Sequence, residues 1–277
     1  MIKEFLSKIT FVIVSYNSGK VIEKCLDCLP KESKIIIIEN ANNKKILNNY
    51  KRKKNIRLIC NSLNNGYGAG NNIGIKLTKT QYAFIISPDT FLKKKIFKKI
   101  ENSIKKLKNN FWLMGIENIT NSKNNLIESK YVGGHAMLLN LKKFKTKKVF
   151  DKNYFLYNEE IDLCLDIKKK GGKIFSLDTN DLKHLGKMSS GEDDLKMKVL
   201  RNWHGYWSYI YFYKKNYGNL KANYIFLKKL IGTFTQYFFG LIFFNKEKSI
   251  LNKFKFLALI SAILRKPSSL RLEHIKI

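Results

Sequence analysis

Three short stretches of this chain combine residue types that can do chemistry. Ser87-Pro88-Asp89 puts one carboxylate just past the hydrophobic run Tyr82 to Ile86. A carboxylate leaving a strand end is a hard oxygen ligand, suited to a divalent cation that neutralises phosphate oxygens. Glu159-Glu160-Ile161-Asp162 packs three carboxylates into four positions at the start of a helical pattern, where one could take a proton from a hydroxyl. Glu159 and Asp162, three apart, share a helix face, and Glu160 points elsewhere. His184 follows a strand pattern and precedes Gly186, Ser189 and Ser190; a neutral imidazole there could complete a metal shell or contact a diphosphate.

Each stretch also has a plainer explanation. Ser-Pro-Asp-Thr is good turn and helix-cap chemistry. Acidic residues favour the first turn of any helix because of the macrodipole. A histidine in a loop needs no role. Against these stands scarcity: the chain has 21 acidic residues, and three of them sit together beside Tyr154-Phe155-Leu156-Tyr157. The glycine loop from Asn65 to Gly74 looks like a phosphate cradle. It misses the G-x-G-x-x-G spacing by one residue, which disfavours dinucleotide binding.

The elements that must hold these residues alternate strand and helix. Lys8 to Val14 reads as a buried strand, Gly19 to Leu29 as a helix stopped by Pro30, and Lys34 to Ile38 and Asn55 to Cys60 as further strands. A helix near Gly68 to Leu77 and a strand at Tyr82 to Ile86 follow. This pattern implies a mostly parallel sheet with ligands at the carboxyl ends of its strands. The loops Ser15 to Ser18, Glu39 to Asn43 and Ser87 to Thr90 all lie there. Leu92 to Leu107 is an amphipathic helix with a basic outer face. A strand near Phe111 to Ile116, an apolar run ending at Leu139, a helix from Tyr157 to Lys170, and a strand at Lys173 to Leu177 complete the half. From Asp193 to Asn216 the chain is helical and aromatic.

Composition bounds the rest. The net charge is +32, and 48 of the 53 basic residues are lysine. Lysine spread over solvated faces accounts for such a charge as well as attraction to an anionic partner does. No nucleic-acid-binding signature is present, so no nucleic-acid partner is expected. Four cysteines are few for a disulfide framework, and Cys25 and Cys28 sit on the apolar side of a helical pattern, as core residues do. The run Ile9 to Val14 is too short for a secretion signal, which points to a reducing cytoplasm.

The tail differs in character. Tyr224 to Phe244 and Leu251 to Leu264 are apolar but broken by lysines, and neither is an uninterrupted span of about 20 apolar residues. Cationic, aromatic amphipathic helices lying in a membrane interface fit this pattern, which would make the protein peripheral on the inner face of the cell membrane.

Taken in order, Val12-Ile13-Val14-Ser15-Tyr16-Asn17-Ser18, Ile38-Glu39-Asn40, the Asn65 to Gly74 loop, Ser87-Pro88-Asp89 and Tyr154 to Cys164 resemble family 2 glycosyltransferases, in particular a rhamnosyltransferase-like branch. The resemblance covers roughly residues 8 to 216. It implies a GT-A fold, a mostly parallel Rossmann-like sheet flanked by helices. Residues 1–216 would form the catalytic domain (nucleotide-sugar half about 1–90, acceptor half about 91–216), and residues 217–277 the C-terminal helices.

It also implies roles. Ser15, Tyr16 and Asn17 would line a nucleobase pocket. Glu39 would contact base or ribose, standing where the family usually has Asp. Asn65, Gly70 and Asn71 would border the nucleotide and its diphosphate, with Ser87 beside them. Asp89 would hold a divalent metal, Mg²⁺ or Mn²⁺, as the one carboxylate left of an Asp-x-Asp-type motif, with His184 as a second ligand. Gly133, Gly134 and His135 would flank the donor sugar. Glu160 would be the catalytic base, with Glu159 and Asp162 as alternatives. The implied reaction is inverting transfer of a sugar (rhamnose or another hexose) from a nucleotide-sugar donor to a glycan or lipid-linked acceptor hydroxyl of the cell envelope. The single acid at Asp89 leaves a second reading, a catalytically weak or inactive membrane-associated nucleotide-sugar-binding subunit. A nucleotidyltransferase would want a basic, glycine-rich N-terminal signature that Val14-Ser15-Tyr16-Asn17 does not supply.

Overall fold

The computed structural model describes residues 2–41, 54–118, 125–186, 188, 189 and 194–277. Asn42, Asn43, Ser190 and Asp193, named above, lie outside the described residues. The chain divides into two compact units, Met1–Asp151 with Glu160–Gly191, and Lys152–Glu159 with Glu192–Ile277.

The first unit is built on an eight-stranded sheet of order β3-β2-β1-β4-β8-β6-β9-β7. Its strands are β1 (Ile9–Ser15), β2 (Lys34–Glu39), β3 (Ile56–Cys60), β4 (Tyr82–Ile86), β6 (Leu113–Glu117), β7 (Asn125–Glu128), β8 (Ala136–Asn140) and β9 (Ile174–Asp178). The first four run parallel, as the strand–helix alternation predicts. Strand β8 runs antiparallel between β4 and β6, and that reversal brings residues just before β8 beside the end of β4.

Every residue of β1 and β4 is buried, the mark of central strands covered on both faces. On one face Phe11, Ile13, Phe84 and Ile86 pack against α2 (Gly19–Asp27) and α4 (Ile96–Lys106) through Ile22, Cys25, Phe97 and Ile100. On the other, Val12, Ala83 and Ile85 meet Ile75 of α3 (Tyr67–Leu77) and Leu163, Cys164 and Ile167 of α5 (Glu159–Lys169). A short helix α1 (Ile2–Ser7) precedes β1. The four cysteines form no disulfide, and burial pushes the Cys25 thiol far above the ordinary range. As the helical spacing predicts, Cys25 is a core residue.

A two-stranded antiparallel sheet had no counterpart in the sequence reading. It pairs β5 (Thr90–Leu92) with β10 (Leu182–His184), placing His184 opposite Thr90.

The second unit is helical. Helix α6 (Leu195–Ile242) is capped by Asp194, whose side chain accepts from Met197 N, and it breaks at Gly218 (φ 84°, ψ 174°). Only glycine takes such a conformation without strain. The chain turns back there: Ile225, Phe226 and Leu230 beyond the break pack with Trp203, Trp207 and Ile210 before it, together with Ala258, Leu259 and Ala262 of α7 (Lys246–Ile263). The expected domain boundary at 216/217 therefore falls at a break between two segments that pack on each other. Of the two apolar tail stretches, Leu251 to Leu264 largely supplies this core. No helix among the described residues is long and apolar enough to cross a membrane.

Candidate functional site

The carboxyl ends of β1, β2 and β4 carry the residues singled out above. Ser15 ends β1 fully buried, and its hydroxyl donates to Ser18 Oγ at 3.0 Å. Asn17 takes a left-handed conformation (φ 52°), and its N–H points at Glu39 Oε1 (3.4 Å). Ala41 N donates to the same oxygen at 2.8 Å. Glu39 is completely buried, and its Oε2 has no partner among the described residues. A buried carboxylate oxygen left unpaired is costly, and a donor group brought to it would offset that cost.

The glycine loop does two jobs. Asn64 Oδ1 accepts from Gly66 N, and Asn40 Nδ2 donates to Gly66 O at 3.3 Å, tying the loop to the end of β2. A Cβ on Gly70 would stand 2.9 Å from Val14 Cγ1, and one on Gly74 2.3 Å from Val12 Cγ1. These glycines let α3 press on β1. Gly70 thus has a packing role besides the nucleotide role implied for it. Asn71 is fully buried, and neither side-chain polar atom has a partner among the described residues, whereas Asn65 is exposed.

Around Asp89 the elements converge. Ser87 N donates to His135 O (2.8 Å) and Leu185 N to Asp89 O (3.0 Å), so strand pairing delivers both histidines to the carboxylate. Ser87 Oγ donates to Asp89 Oδ1 (2.8 Å), Met188 N points at Oδ2 (3.3 Å), and His184 Nε2 lies 3.4 Å from Oδ1. Burial alone would raise the pKa of Asp89; hydrogen bonds from His184, Ser87 and Ser189 overcome it and hold the carboxyl at about 2. The His135 ring stacks on that of His184, and burial, helped by the neighbouring His184, brings it down to about 4. Ser18 Oγ donates to Ser189 O at 2.6 Å, joining the Ser15 end of the site to the segment over Asp89.

The residues fit a divalent ion in part. One ionised carboxylate with imidazole nitrogen beside it suits Mn²⁺ or Mg²⁺, ions that complete their shells with water and substrate phosphate. No group of three or more His, Cys, Asp or Glu side chains able to hold a metal occurs among the described residues.

Glu160, the expected base, lies near Gly134, which is expected to flank a donor sugar. A Cβ on Gly134 would touch Glu160 Cβ and Cγ at 3.6 Å, and Tyr67 Oη donates to Gly134 O at 2.8 Å. Burial raises the pKa of Glu160, partly opposed by a hydrogen bond from its own backbone N–H. Glu159 and Asp162 are both buried. The chain enters α5 through two consecutive left-handed residues, Tyr157 (φ 69°) and Asn158 (φ 64°), a conformation that costs free energy without glycine. In the helical unit the preceding segment is anchored: Phe155 stacks on His204, Arg271 lies 3.9 Å over its ring, and Ser208 Oγ donates to Leu156 O.

Glu117, at the end of β6, escaped the sequence reading. It accepts from Gly133 N (2.7 Å) and Ser176 Oγ (2.6 Å) and so fixes the glycine pair before His135. Its place at a strand's carboxyl end was the available signal. A separate cavity of about 300 Å³, lined by Lys34, Lys54, Arg57 and Lys79 among others, opens at the opposite ends of β1 to β3.

The glycosyl transferase family 2 model matches residues 10–163, more than half of the chain, from β1 to the first turns of α5. This chain belongs to glycosyl transferase family 2. A poly(ribitol-phosphate) beta-glucosyltransferase of Bacillus spizizenii is 36% identical over 96 residues, which is 31% of this chain and 15% of that protein. The chain thus spans under a sixth of that relative's length. Among solved structures, S. aureus TarS 1-349 in complex with UDP is similar with a TM-score of 0.51 and 13% identity, over 94% of this chain and 92% of that one. GalNAc-T7 with UDP, GalNAc and Mn²⁺ is similar with a TM-score of 0.53 and 14% identity, over 74% and 49%. At such identities these likenesses show the fold, and the fold is GT-A-like.

Proposed function

We propose that this chain is an inverting glycosyltransferase moving a hexose from a nucleoside-diphosphate sugar to a hydroxyl of a cell-envelope polymer or lipid-linked glycan. The observation that carries the proposal is the group Asp89, His184, His135 and Ser87 at the carboxyl end of the parallel strands of a family 2 chain. The names of the relatives favour a uridine nucleotide and a polyol-phosphate acceptor, and the motif order favours a rhamnosyltransferase-like donor pocket; both are finer proposals.

In this mechanism Glu39 and the backbone around Asn17 take the nucleoside, which donates a hydrogen bond to Glu39 Oε2, an acceptor without a partner among the described residues. Asp89 and His184 would hold the divalent ion, which supplies charge neutralisation to the leaving diphosphate. Gly133, Gly134 and His135 border the sugar, with the turn fixed by Glu117 and Tyr67. Glu160, its basicity raised by burial, takes the acceptor proton as the hydroxyl attacks from the face opposite the leaving group. One displacement inverts the anomeric centre.

The test is release of nucleoside diphosphate from a panel of nucleotide-sugars, with and without Mn²⁺ or Mg²⁺, by wild type, Asp89→Ala and Glu160→Gln. Turnover by wild type and its loss in both variants is expected. Binding of donor with no turnover on any acceptor would turn the reading toward the inactive sugar-binding subunit.

A further inference from the structure

The segment of α6 beyond Gly218 has two faces of unlike surroundings. Ala222, Thr233 and Gly240 are buried on one, and Gly240 lies so close to α7 that a Cβ would meet Ser249 Oγ at 2.8 Å. On the opposite face Leu220, Tyr224, Leu227, Ile231, Phe234 and Phe238 are 54–89% exposed. Steps of four and three residues keep these side chains on a single stripe, about 27 Å long at helical rise. The stripe runs into the turn between α6 and α7, where Phe243 and Phe244 are 74% and 91% exposed. A continuous apolar face of this length marks an interaction surface.

Charge selects the occupant. Helix α6 contains no Asp or Glu, and Lys221 and Lys228 border the stripe on one side. Lys246 and Lys248 follow the Phe243-Phe244 turn. Residues 195–277 carry 16 Lys and Arg against Glu247 and Glu273 alone. A second copy of this helix would set lysine against lysine with no acid at the flanking positions to pair with them. An anionic lipid surface answers both features, accepting the apolar stripe between its headgroups and attracting the lysine flank.

We propose that the outer face of residues 220–244 lies in the plane of a membrane rich in anionic lipid, with Phe243 and Phe244 inserted at its end. This inference does not rest on the catalytic reading. It sharpens the tail's role to one segment, since α7 mostly faces the helical core.

Co-sedimentation of the full chain with phosphatidylglycerol-containing vesicles and with pure phosphatidylcholine vesicles tests it. Wild type should pellet with the anionic vesicles, at least tenfold less with the zwitterionic ones, and less as salt rises. The combined variant Leu227→Gln, Ile231→Gln, Phe234→Gln, Phe243→Ser, Phe244→Ser should stay in the supernatant while keeping the wild-type melting transition. Asp89→Ala should pellet like wild type whatever its turnover. The proposal is overturned if wild type ignores anionic vesicles, or if the stripe variant pellets equally, which would leave surface lysine as the whole cause. It is also overturned if sedimentation velocity shows a vesicle-independent dimer that the stripe variant dissolves and that binds no lipid. Should the stripe variant lose its melting transition, the pair Phe243→Ser, Phe244→Ser, confined to the exposed turn, repeats the test.

Discussion

The rings of His184 and His135 lie 4.4 Å apart and within 6° of parallel, with His184 Nε2 turned to Asp89 Oδ1. The stack holds the plane of the His184 ring while Asp89 draws its Nε2, so that nitrogen is presented to the carboxylate and to any ion that shares it. Removing a supporting contact typically costs about 10–100-fold in metal affinity, and removing the ligand it supports costs at least as much. His184→Ala should raise the Mn²⁺ concentration for half-maximal turnover by at least that factor, with part of the rate recovered at high Mn²⁺. Asp89→Asn should lose about 100-fold or more at any concentration. Manganese titration of nucleoside diphosphate release separates the two, and an unchanged titration in His184→Ala would remove that residue from the metal shell.

Glu160 should set the acidic limb of the reaction. Burial places its pKa above the ordinary glutamate value. A base works deprotonated, so kcat/KM for acceptor should rise with pH through that displaced pKa and level off above it. Glu160→Gln should lower kcat by about 10²–10⁴-fold with little change in donor KM, and abolish the limb. If the limb persists in Glu160→Gln, the base is another group, Asp162 first.

The sheet was legible because buried strands and glycine- or proline-bounded turns leave strong patterns. Lys34 to Ile38 and Tyr82 to Ile86 were read within one residue of their observed limits. The β5 and β10 strands were not, since three residues carry no periodicity; their pairing exists only through the tertiary meeting of Thr90 and His184. For the same reason Asp89 was legible as a strand-end acid, but its partners were not. Glu117 read as the end of a strand with nothing to mark its grip on Gly133. The expected helix end at Asn216 landed near the break at Gly218. That Leu251 to Leu264 packs largely inward while the stripe of Leu220, Tyr224, Leu227, Ile231, Phe234 and Phe238 faces outward could not be seen, because both stretches mix lysine and large apolar residues alike.

Gly74 should be intolerant of the smallest addition. Its absent side chain lets α3 approach β1, where a Cβ would stand 2.3 Å from Val12 Cγ1 and 3.3 Å from Val12 Cβ. Both residues are buried in a packed layer, so Gly74→Ala should destabilise by about 1–3 kcal/mol through overpacking. Val12→Ala should recover part of that loss in the double variant. Urea denaturation of the two singles and the double checks this, and strict additivity of the losses would show that the two sites do not touch.

His204 should make the helical unit acid-sensitive. Its Nε2–H donates to Leu270 O at 3.0 Å, which leaves Nδ1 to accept from the Ser268 hydroxyl at 2.7 Å. Burial, with Arg271 nearby and the Leu270 carbonyl opposing, brings its pKa down to about 3. The unfolded chain takes up a proton near the ordinary histidine value of about 6.5, and the folded chain does not until about 3. Between those values the unfolded state holds more protons, so stability falls as pH falls, by up to about 1.4 kcal/mol per unit from this group. Below pH 3 the contribution is flat. His204→Asn should be less stable near pH 7, where it loses the stack on Phe155, yet show a shallower decline from pH 6 to 4. Denaturant melts of both proteins across that range measure the two slopes, and parallel slopes would mean that His204 is not the group whose protonation opens the unit.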